Sequence, residues 1–115
     1  MYLGFSREAF RTEAFRPLAS KLTVDVGGLV LDSVDFTSYD HIFVCGPQPM
    51  LKAAQLKGNA AGEAGGGPKV YLSLENRMAC GIGACLVCSV SCRDGQRKAC
   101  ADGPVFLAEE VIFHG

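Results

Sequence analysis

Residues 78–100 read MACGIGACLVCSVSCRDGQRKAC and contain five of the chain's six cysteines. Four of these follow the spacing C-x4-C-x2-C-x11-C, namely Cys80, Cys85, Cys88 and Cys100. Cysteine thiolates are strong ligands for zinc and for iron–sulfur clusters. The stretch therefore predicts a metal centre, and the remainder of the chain is interpreted around it.

The short interval between the first two of these cysteines favours a [2Fe–2S] cluster. The spacing C-x4-C-x2-C, followed by a more distant cysteine, is typical of such sites. A cluster also needs hydrogen-bond donors around its sulfur atoms. Gly81, Gly83 and Ala84 carry little or no side chain, so their backbone N–H groups can approach sulfur closely. We predict that these three residues contact the cofactor.

Three other interpretations of the cysteines remain open. Structural zinc also takes four thiolates, although such sites usually present two C-x2-C pairs and only Cys85 and Cys88 form one here. An even number of cysteines permits a disulfide framework, but Ser6, Arg7 and Glu8 interrupt any apolar export signal. Inert buried thiols would not be expected to cluster at ligand spacing.

Composition limits the function classes that need to be considered. The 115 residues are 49% hydrophobic, which suits one domain or two incomplete ones with a packed core. The net charge of −1, without a Lys/Arg block, gives no indication of nucleic acid or an anionic membrane as a partner. No apolar run is long enough for a transmembrane helix. Reduced cysteines without an export signal predict a cytoplasmic location.

The first half of the chain is predicted to alternate helices and strands. Ser6 is expected to cap a helix that runs to about Leu18, and residues 21–26 alternate as a strand. Residues 29–34 fit either a short helix or a strand. The apolar run at residues 41–45 suits a buried parallel strand, and residues 49–56 follow it as a helix. This alternation is typical of parallel βα units.

Residues 58–69 differ from their surroundings. GNAAGEAGGGP, at residues 58–68, is composed mainly of Gly and Ala, which predicts a flexible linker. Neither of the common phosphate-loop spacings is present in it. We therefore predict an α/β part at residues 1–57, a linker at 58–69 and a small β-rich cluster domain at 70–115. Within the preceding helix, Met50, Leu51 and Ala54 are expected to face inward.

A hairpin is predicted after the cysteine loop. Residues 86–92 and 96–100 form its strands, and Asp94-Gly95 is a strong signal for a two-residue turn. A turn at these two residues places Cys100 opposite Ser89. A further strand is predicted at residues 70–74.

The predicted hairpin also separates two of the cysteines by role. Cys100 lies beside Cys88, where a fourth ligand is needed. Cys92 lies near the turn, about 13 Å from Cys88 along an extended strand. A cluster a few ångströms across does not reach both Cys88 and Cys92, so Cys92 is predicted to be a spare thiol.

Three segments together resemble one family. Residues 71–85, YLSLENRMACGIGAC, resemble the cluster-binding signature of the electron-transfer subunit of dihydroorotate dehydrogenase B. Residues 100–106, CADGPVF, are similar to the fourth-ligand motif of the same family. Residues 45–51, CGPQPML, resemble the C-G-P-x-x-M motif of ferredoxin–NADP reductase-like nucleotide domains.

The resemblance implies an electron relay in pyrimidine biosynthesis. Family members carry an FAD-binding β-barrel, a nicotinamide-binding α/β domain and a C-terminal [2Fe–2S] domain, and they work with an FMN-containing catalytic subunit. Electrons pass between dihydroorotate, FMN, the cluster, FAD and NAD⁺. By this resemblance the iron ligands are Cys80, Cys85, Cys88 and Cys100. Cys45, Gly46 and Pro47 then lie at the nicotinamide–flavin junction, although Cys45 also fits a buried strand-end thiol.

The chain departs from the family in length. No FAD barrel precedes residue 3, and the Gly-rich pyrophosphate loop is absent. We therefore expect a partial ferredoxin-reductase-like nucleotide domain followed by the cluster domain. Such a truncated product would hold the cluster rather than FAD or NAD, and would be inactive alone. Half a sheet leaves apolar surface uncovered, which predicts self-association.

Two other functions stay open at this point. One is the small subunit of a related NAD(P)H:ferredoxin or sulfide reductase, which shares the C-G-P motif and a similar cysteine loop. The other, of a different class, is a zinc-stabilised interaction module without a redox role.

Overall fold

The computed structural model describes residues 1–5, 7–9, 11–28, 30–63 and 67–113. The chain divides into two compact units, Met1–Asp35 and Phe36–Gly115. The first unit contains the parallel strands β1 (Tyr2–Phe5) and β2 (Thr23–Val26), and the short helix α1 (Thr12–Phe15). Two 3₁₀ turns, Arg16–Leu18 and Val30–Ser33, complete it.

The first unit follows the predicted order with shorter elements. The strand predicted at residues 21–26 is present as β2, and the undecided segment 29–34 contains a 3₁₀ turn. The helix predicted to end near Leu18 is wrong in extent, because α1 ends at Phe15 and passes into a 3₁₀ turn with Pro17 in its first positions. The predicted cap, Ser6, lies outside the described residues.

The second unit holds both predicted sites. Its elements in chain order are β3 (His41–Cys45), α2 (Gln48–Glu63), β4 (Lys69–Ser73), β5 (Ser89–Cys92), β6 (Gly95–Lys98), α3 (Ala99–Asp102) and β7 (Val105–Leu107), with 3₁₀ turns at Phe36–Ser38 and Ala108–Glu110. One sheet has the order β3-β4-β7, with β3 parallel and β7 antiparallel to β4. The hairpin β5-β6 forms a separate two-stranded sheet. The parallel βα unit predicted from the sequence is therefore present.

Helix α2 packs on the sheet through the side chains expected to face inward. Leu51 and Ala54 are buried, and Met50 is half-buried. They join a core of strand residues that includes Val44, Val70, Leu72 and Phe106. Because apolar burial is the main driving force of folding, this core is what holds α2 against β3 and β4.

The linker predicted at residues 58–69 is wrong for the first half of its length. Residues 58–63 form the last part of α2, and β4 begins at Lys69. A Cβ at Gly58 would lie 2.7 Å from Val70 Cγ2, so this glycine lets the helix approach β4 closely. Alanines nearby favour helix, a preference that the Gly-rich composition conceals. Because β4 pairs with β3, the predicted boundaries at 57 and 69 fall within one unit.

Strand β3 is parallel as predicted but is not fully buried. Val44 is buried, whereas Phe43 is 73% exposed. Within the described part of the chain β3 has one neighbouring strand, β4, so it lies at the end of the sheet. Phe43 stacks on Tyr71 of β4, with ring centroids 4.8 Å apart, on the side opposite the inward-facing Val44.

The hairpin is present, but its predicted register is wrong by two residues. Ser89 pairs with Lys98 rather than with Cys100, and Cys92 pairs with Gly95. The turn is therefore made by Arg93 and Asp94. The side chain of Arg97 pairs with Asp94 across this turn, which stabilises the shifted register.

The described part of the chain contains no helix of the length and apolar character that spanning a membrane requires.

Candidate metal centre

The cysteine loop joins β4 to β5 without helix or strand between them. Gly81 and Gly83 have φ angles of +70° and +83°, a region that residues with a Cβ rarely adopt. These turns direct the N–H groups of Ile82 and Ala84 to Cys80 Sγ, at 3.4 and 3.3 Å. The predicted N–H donation to sulfur is thus made by Ala84 to Cys80 and by Gly83 to Cys100. Ile82, which was not among the predicted donors, also donates to Cys80.

Backbone donors favour the thiolate form of Cys80. The N–H groups of Ile82, Cys85 and Ala84, together with the Cys85 thiol, lower the pKa of Cys80 to about 6. A hydrogen bond to the charged form of a group always lowers the pKa of an acid. Because metals bind thiolate rather than thiol, this loop is prepared for ligation before any metal arrives.

Cys88 and Cys100 form a second pair. Their Sγ atoms are 3.3 Å apart, and the Cys100 N–H lies 3.5 Å from Cys88 Sγ. This N–H is the main cause of the lowered pKa of Cys88. The side-chain hydrogen bond between the two thiols is the main cause of the raised pKa of Cys100. One proton shared between two thiols has this effect. Binding of a cation would release that proton.

Helix α3 is what brings Cys100 to Cys88. The Ala99 N–H donates to the Cys88 carbonyl at 3.1 Å, and Asp102 accepts the Lys98 N–H at 2.8 Å. The chain therefore leaves β6 in a tight turn directly after Lys98. The prediction that Cys88 and Cys100 lie close together is correct, but the turn at α3, rather than the predicted hairpin register, brings them together.

The four cysteines are thus arranged as two pairs, Cys80 with Cys85 and Cys88 with Cys100. Among the described residues, no three Cys, His, Asp or Glu side chains form a group placed to hold a single ion. A two-iron cluster has two protein ligands on each iron, whereas structural zinc needs four ligands around one ion. The paired arrangement fits the cluster better than zinc.

Cys92 lies apart from both pairs. Its side chain is 4% exposed, and burial raises the pKa of its thiol. An isolated antiparallel β-bridge pairs its backbone with that of Val111. Cys88 is equally buried, but its pKa is lowered, so the raised pKa is what marks Cys92 as a small core residue.

Asn76 connects the loop to the start of the hairpin. Its side-chain amide Nδ2 lies 3.5 Å from the Cys88 carbonyl oxygen and 3.3 Å from that of Ser89. Asn76 lies within the signature at residues 71–85 but was not predicted as a site residue, because its role depends on residues 12 and 13 positions further along the chain.

The predicted nucleotide-site residues follow β3. Cys45 is exposed, so the alternative of a buried thiol is wrong. The Leu51 N–H donates to the Pro47 carbonyl at 3.1 Å as α2 begins. A Cβ at Gly46 would lie 2.7 Å from Met50 Sδ, so the glycine and methionine of the C-G-P-x-x-M motif form a packing pair.

A cavity of about 250 Å³ lies between this strand end and the hairpin. It is lined by Gly46, Gln48 and Leu51 on one side and by Asn76, Ser89 and Ser91 on the other. The two predicted sites therefore flank one cavity within the second unit.

Comparison with known proteins identifies the cysteine region. Residues 75–112 match the family model described as the iron–sulfur cluster binding domain of dihydroorotate dehydrogenase B. The electron-transfer subunit of dihydroorotate dehydrogenase B (NAD(+)) from Caldanaerobacter subterraneus is 41% identical over 96% of this chain. The subunit of the same name from Fusobacterium nucleatum is 52% identical over 64% of the chain. The predicted resemblance and the predicted iron–sulfur cofactor are both confirmed.

A solved structure shows the same fold. The chain matches one from an NADH-dependent reduced ferredoxin–NADP oxidoreductase, described in work on flavin-based electron bifurcation, with a TM-score of 0.79 and 28% identity. The match covers 96% of this chain and 43% of that one. Similarly, the chain spans 48% of the length of the Caldanaerobacter relative. A reductase-like fold is therefore confirmed, although the sheet β3-β4-β7 is mixed rather than purely parallel.

Proposed function

We propose that the chain relays electrons through a [2Fe–2S] cluster, because residues 75–112 match the family model of the iron–sulfur cluster binding domain of dihydroorotate dehydrogenase B. The observation that carries the proposal is the arrangement of four cysteines in two pairs, with backbone N–H groups directed at Cys80 Sγ. Cys80 and Cys85 would hold one iron, and Cys88 and Cys100 the other. When bound, the cluster supplies one-electron transfer.

The protein's own groups prepare this site in three ways. Gly81 and Gly83 allow the loop to turn its N–H groups inward. Ile82 and Ala84 donate to sulfur, which stabilises the negative charge of the thiolates. Asn76 binds the backbone at Cys88 and Ser89, so that the second pair is held beside the first.

The partner side of the relay is proposed from the relatives. Those from Caldanaerobacter and Fusobacterium are named as electron-transfer subunits, so we propose an FMN-containing dihydroorotate dehydrogenase subunit as the partner in pyrimidine biosynthesis. The cysteine loop carries exposed apolar side chains that would contact this partner, namely Met78, Ile82, Leu86 and Val87. Apolar surface of this kind commonly marks a protein interface.

The strand end at Cys45-Gly46-Pro47 is proposed as the nicotinamide–flavin junction. It lies at the carboxyl end of parallel strands, where α/β sheets bind ligands, and it borders the cavity that reaches the hairpin. FAD and NAD⁺ would be held by the whole reductase rather than by this chain alone. A cytoplasmic location completes the proposal, because exposed thiols persist in reducing compartments.

A second candidate is a related NAD(P)H:ferredoxin reductase. The structural match to an NADH-dependent ferredoxin–NADP oxidoreductase favours it, whereas the family of residues 75–112 favours the dihydroorotate version. Purification of the native complex separates them. An FMN-containing dihydroorotate-oxidising partner supports the first candidate, and a ferredoxin-reducing partner supports the second.

Cluster binding is tested by anaerobic purification of the chain. Visible absorption is recorded, and iron, sulfide and zinc are assayed on the same sample. We expect a red-brown protein with two irons and two sulfides per chain. A colourless chain with one bound zinc would contradict the relay and support the zinc-stabilised module.

A further inference from the structure

Gln55 makes an unusual double contact from the middle of α2. Its side-chain Nε2 donates to the carbonyl oxygens of Ala108 and Val111, at 2.5 and 2.6 Å, in a half-buried setting. The two carbonyls lie at the first residue of a 3₁₀ turn and directly after its last. The Ala108 carbonyl also accepts the Val111 N–H at 3.3 Å, so Gln55 is its second donor, and the same amide ties both ends of the 3₁₀ turn to α2.

The segment that Gln55 holds, residues 108–112, is bound on its other side to β5 and the hairpin turn. The Ile112 N–H donates to the Ser91 carbonyl, and the Arg93 N–H donates to the Glu110 carbonyl, both at 2.8 Å. Val111 is buried and bridges to Cys92. The segment therefore lies between α2 and the hairpin and is hydrogen-bonded to both.

These contacts, which run from α2 through residues 108–112 to the hairpin, link the two predicted sites. Helix α2 begins directly after Cys45-Gly46-Pro47, and β5 begins directly after Cys88. Leu51 and Ala54 hold α2 to the sheet by apolar packing, which has no preferred direction. Residues 108–112 directly follow β7, which is paired with β4. Hydrogen bonds have a preferred geometry, so the Gln55 contacts add a directional constraint on where this segment lies along α2.

We propose that Gln55 is a positioning residue that sets the separation between the cysteine hairpin and the strand end at Cys45. This rests on the proposed function in one respect, since the separation matters because electrons would cross it. Functional groups must be held to within a fraction of an ångström by their supporting residues. Loss of the Gln55 donor would leave the cysteine pairs intact while allowing their distance from Cys45 to vary.

The separation can be measured directly. Cys45 is exposed and Cys92 is buried, so in a Cys92→Ser background a nitroxide is attached to Cys45 of the cluster-loaded chain. Pulsed electron paramagnetic resonance then gives the distribution of distances from the nitroxide to the reduced cluster. We compare the parent chain with Gln55→Ala and with Gln55→Leu, which keeps most of the side-chain volume. The control is Gln96→Ala, which removes an amide that donates to Ser91 Oγ within the hairpin.

We expect a narrow distribution in the parent chain and in the control, and a broadened, shifted distribution in both Gln55 variants. Equal distributions in all four chains would overturn the proposal. Amide hydrogen exchange supplies the second measurement, since the Ile112 and Arg93 N–H groups should exchange about five- to tenfold faster in the Gln55 variants.

The two measurements separate the two proposals. A chain that shows no cluster signal contradicts the proposed function, and exchange at Ile112 and Arg93 still decides whether Gln55 braces the hairpin. Unchanged amide hydrogen exchange at Ile112 and Arg93 in both Gln55 variants would overturn the proposal that Gln55 positions the hairpin, whether or not a cluster is present.

Discussion

At the scale of single residues, the cysteines differ in what surrounds them. Cys80 has backbone N–H groups directed at its sulfur, and Cys88 and Cys100 share a hydrogen bond. Cys92 has none of these, and burial raises the pKa of its thiol. Neighbouring groups thus suit identical side chains either to the proposed ligand role or to the core.

Replacement of Cys100 by Ser should therefore abolish or severely reduce the iron content, because one iron loses a ligand. Cys92→Ser should leave iron and sulfide unchanged and destabilise the fold by about 1 kcal/mol, because a hydroxyl replaces a buried thiol. Both are measured by metal analysis and visible absorption of anaerobically purified protein. Equal loss in the two variants would contradict the assigned roles.

The two loop glycines provide a matched pair. Both have positive φ, but a Cβ at Gly81 meets open space, whereas one at Gly83 would lie 3.0 Å from Ala101 Cβ. Gly81→Ala should cost about 1–2 kcal/mol of loop stability from backbone strain alone. Gly83→Ala should cost more, since it also presses on the α3 turn that carries Cys100. The rate of iron release to a chelator measures the difference, and an equal rate would show that the contact is unimportant.

At the scale of elements, α2 shows how a glycine can serve packing rather than flexibility. Gly58 lies against Val70, whereas a Cβ at Gly62 would meet nothing within 4 Å. The Gly-rich composition predicted a linker here because glycine usually interrupts a helix. The helix persists since its alanines favour it and its inner face is covered by the sheet.

Gly62→Ala should accordingly raise the free energy of unfolding by about 0.5–1 kcal/mol, because alanine restricts the unfolded chain and favours helix. Gly58→Ala should give no such gain and should lower stability, because its Cβ overlaps Val70 Cγ2. Denaturant unfolding followed by circular dichroism measures both. A stabilising Gly58→Ala would mean that α2 does not pack on β4 as described.

At the scale of the whole molecule, β3 has β4 as its one strand neighbour among the described residues. Strand β3 has no Lys, Pro or Gly, the residues that commonly protect sheet edges. Phe43 is exposed there, and its aromatic neighbour Tyr71 extends the apolar surface. In the full-length relatives other parts of the chain are available to cover such a surface.

We therefore predict that the 115-residue chain self-associates through β3. Phe43→Lys should shift the sedimentation profile toward monomer, because a charge at the strand edge opposes pairing. Leu56→Lys, at a residue that is 60% exposed on α2, is the control and should leave association unchanged. A monomeric parent chain at high concentration, or an equal effect of both variants, would count against β3 as the interface.

The sequence by itself determined the spacing of the four proposed ligands, the glycine turns between the first two of them and most strands. These features depend on residue type and local spacing, which sequence retains in full. It also indicated the hairpin, because Asp94-Gly95 is a local turn signal, but it placed the turn one residue too late.

Only the tertiary structure decided which thiols pair, that residues 58–63 are helical, and that β3 lies at the end of a sheet. It also decided that Gln55 holds the 108–112 segment, 53 and 56 residues away in sequence. Each of these depends on contacts between residues that are distant along the chain. Such contacts carry directional hydrogen bonds and close packing, and no local pattern of residue types encodes which partner will be met.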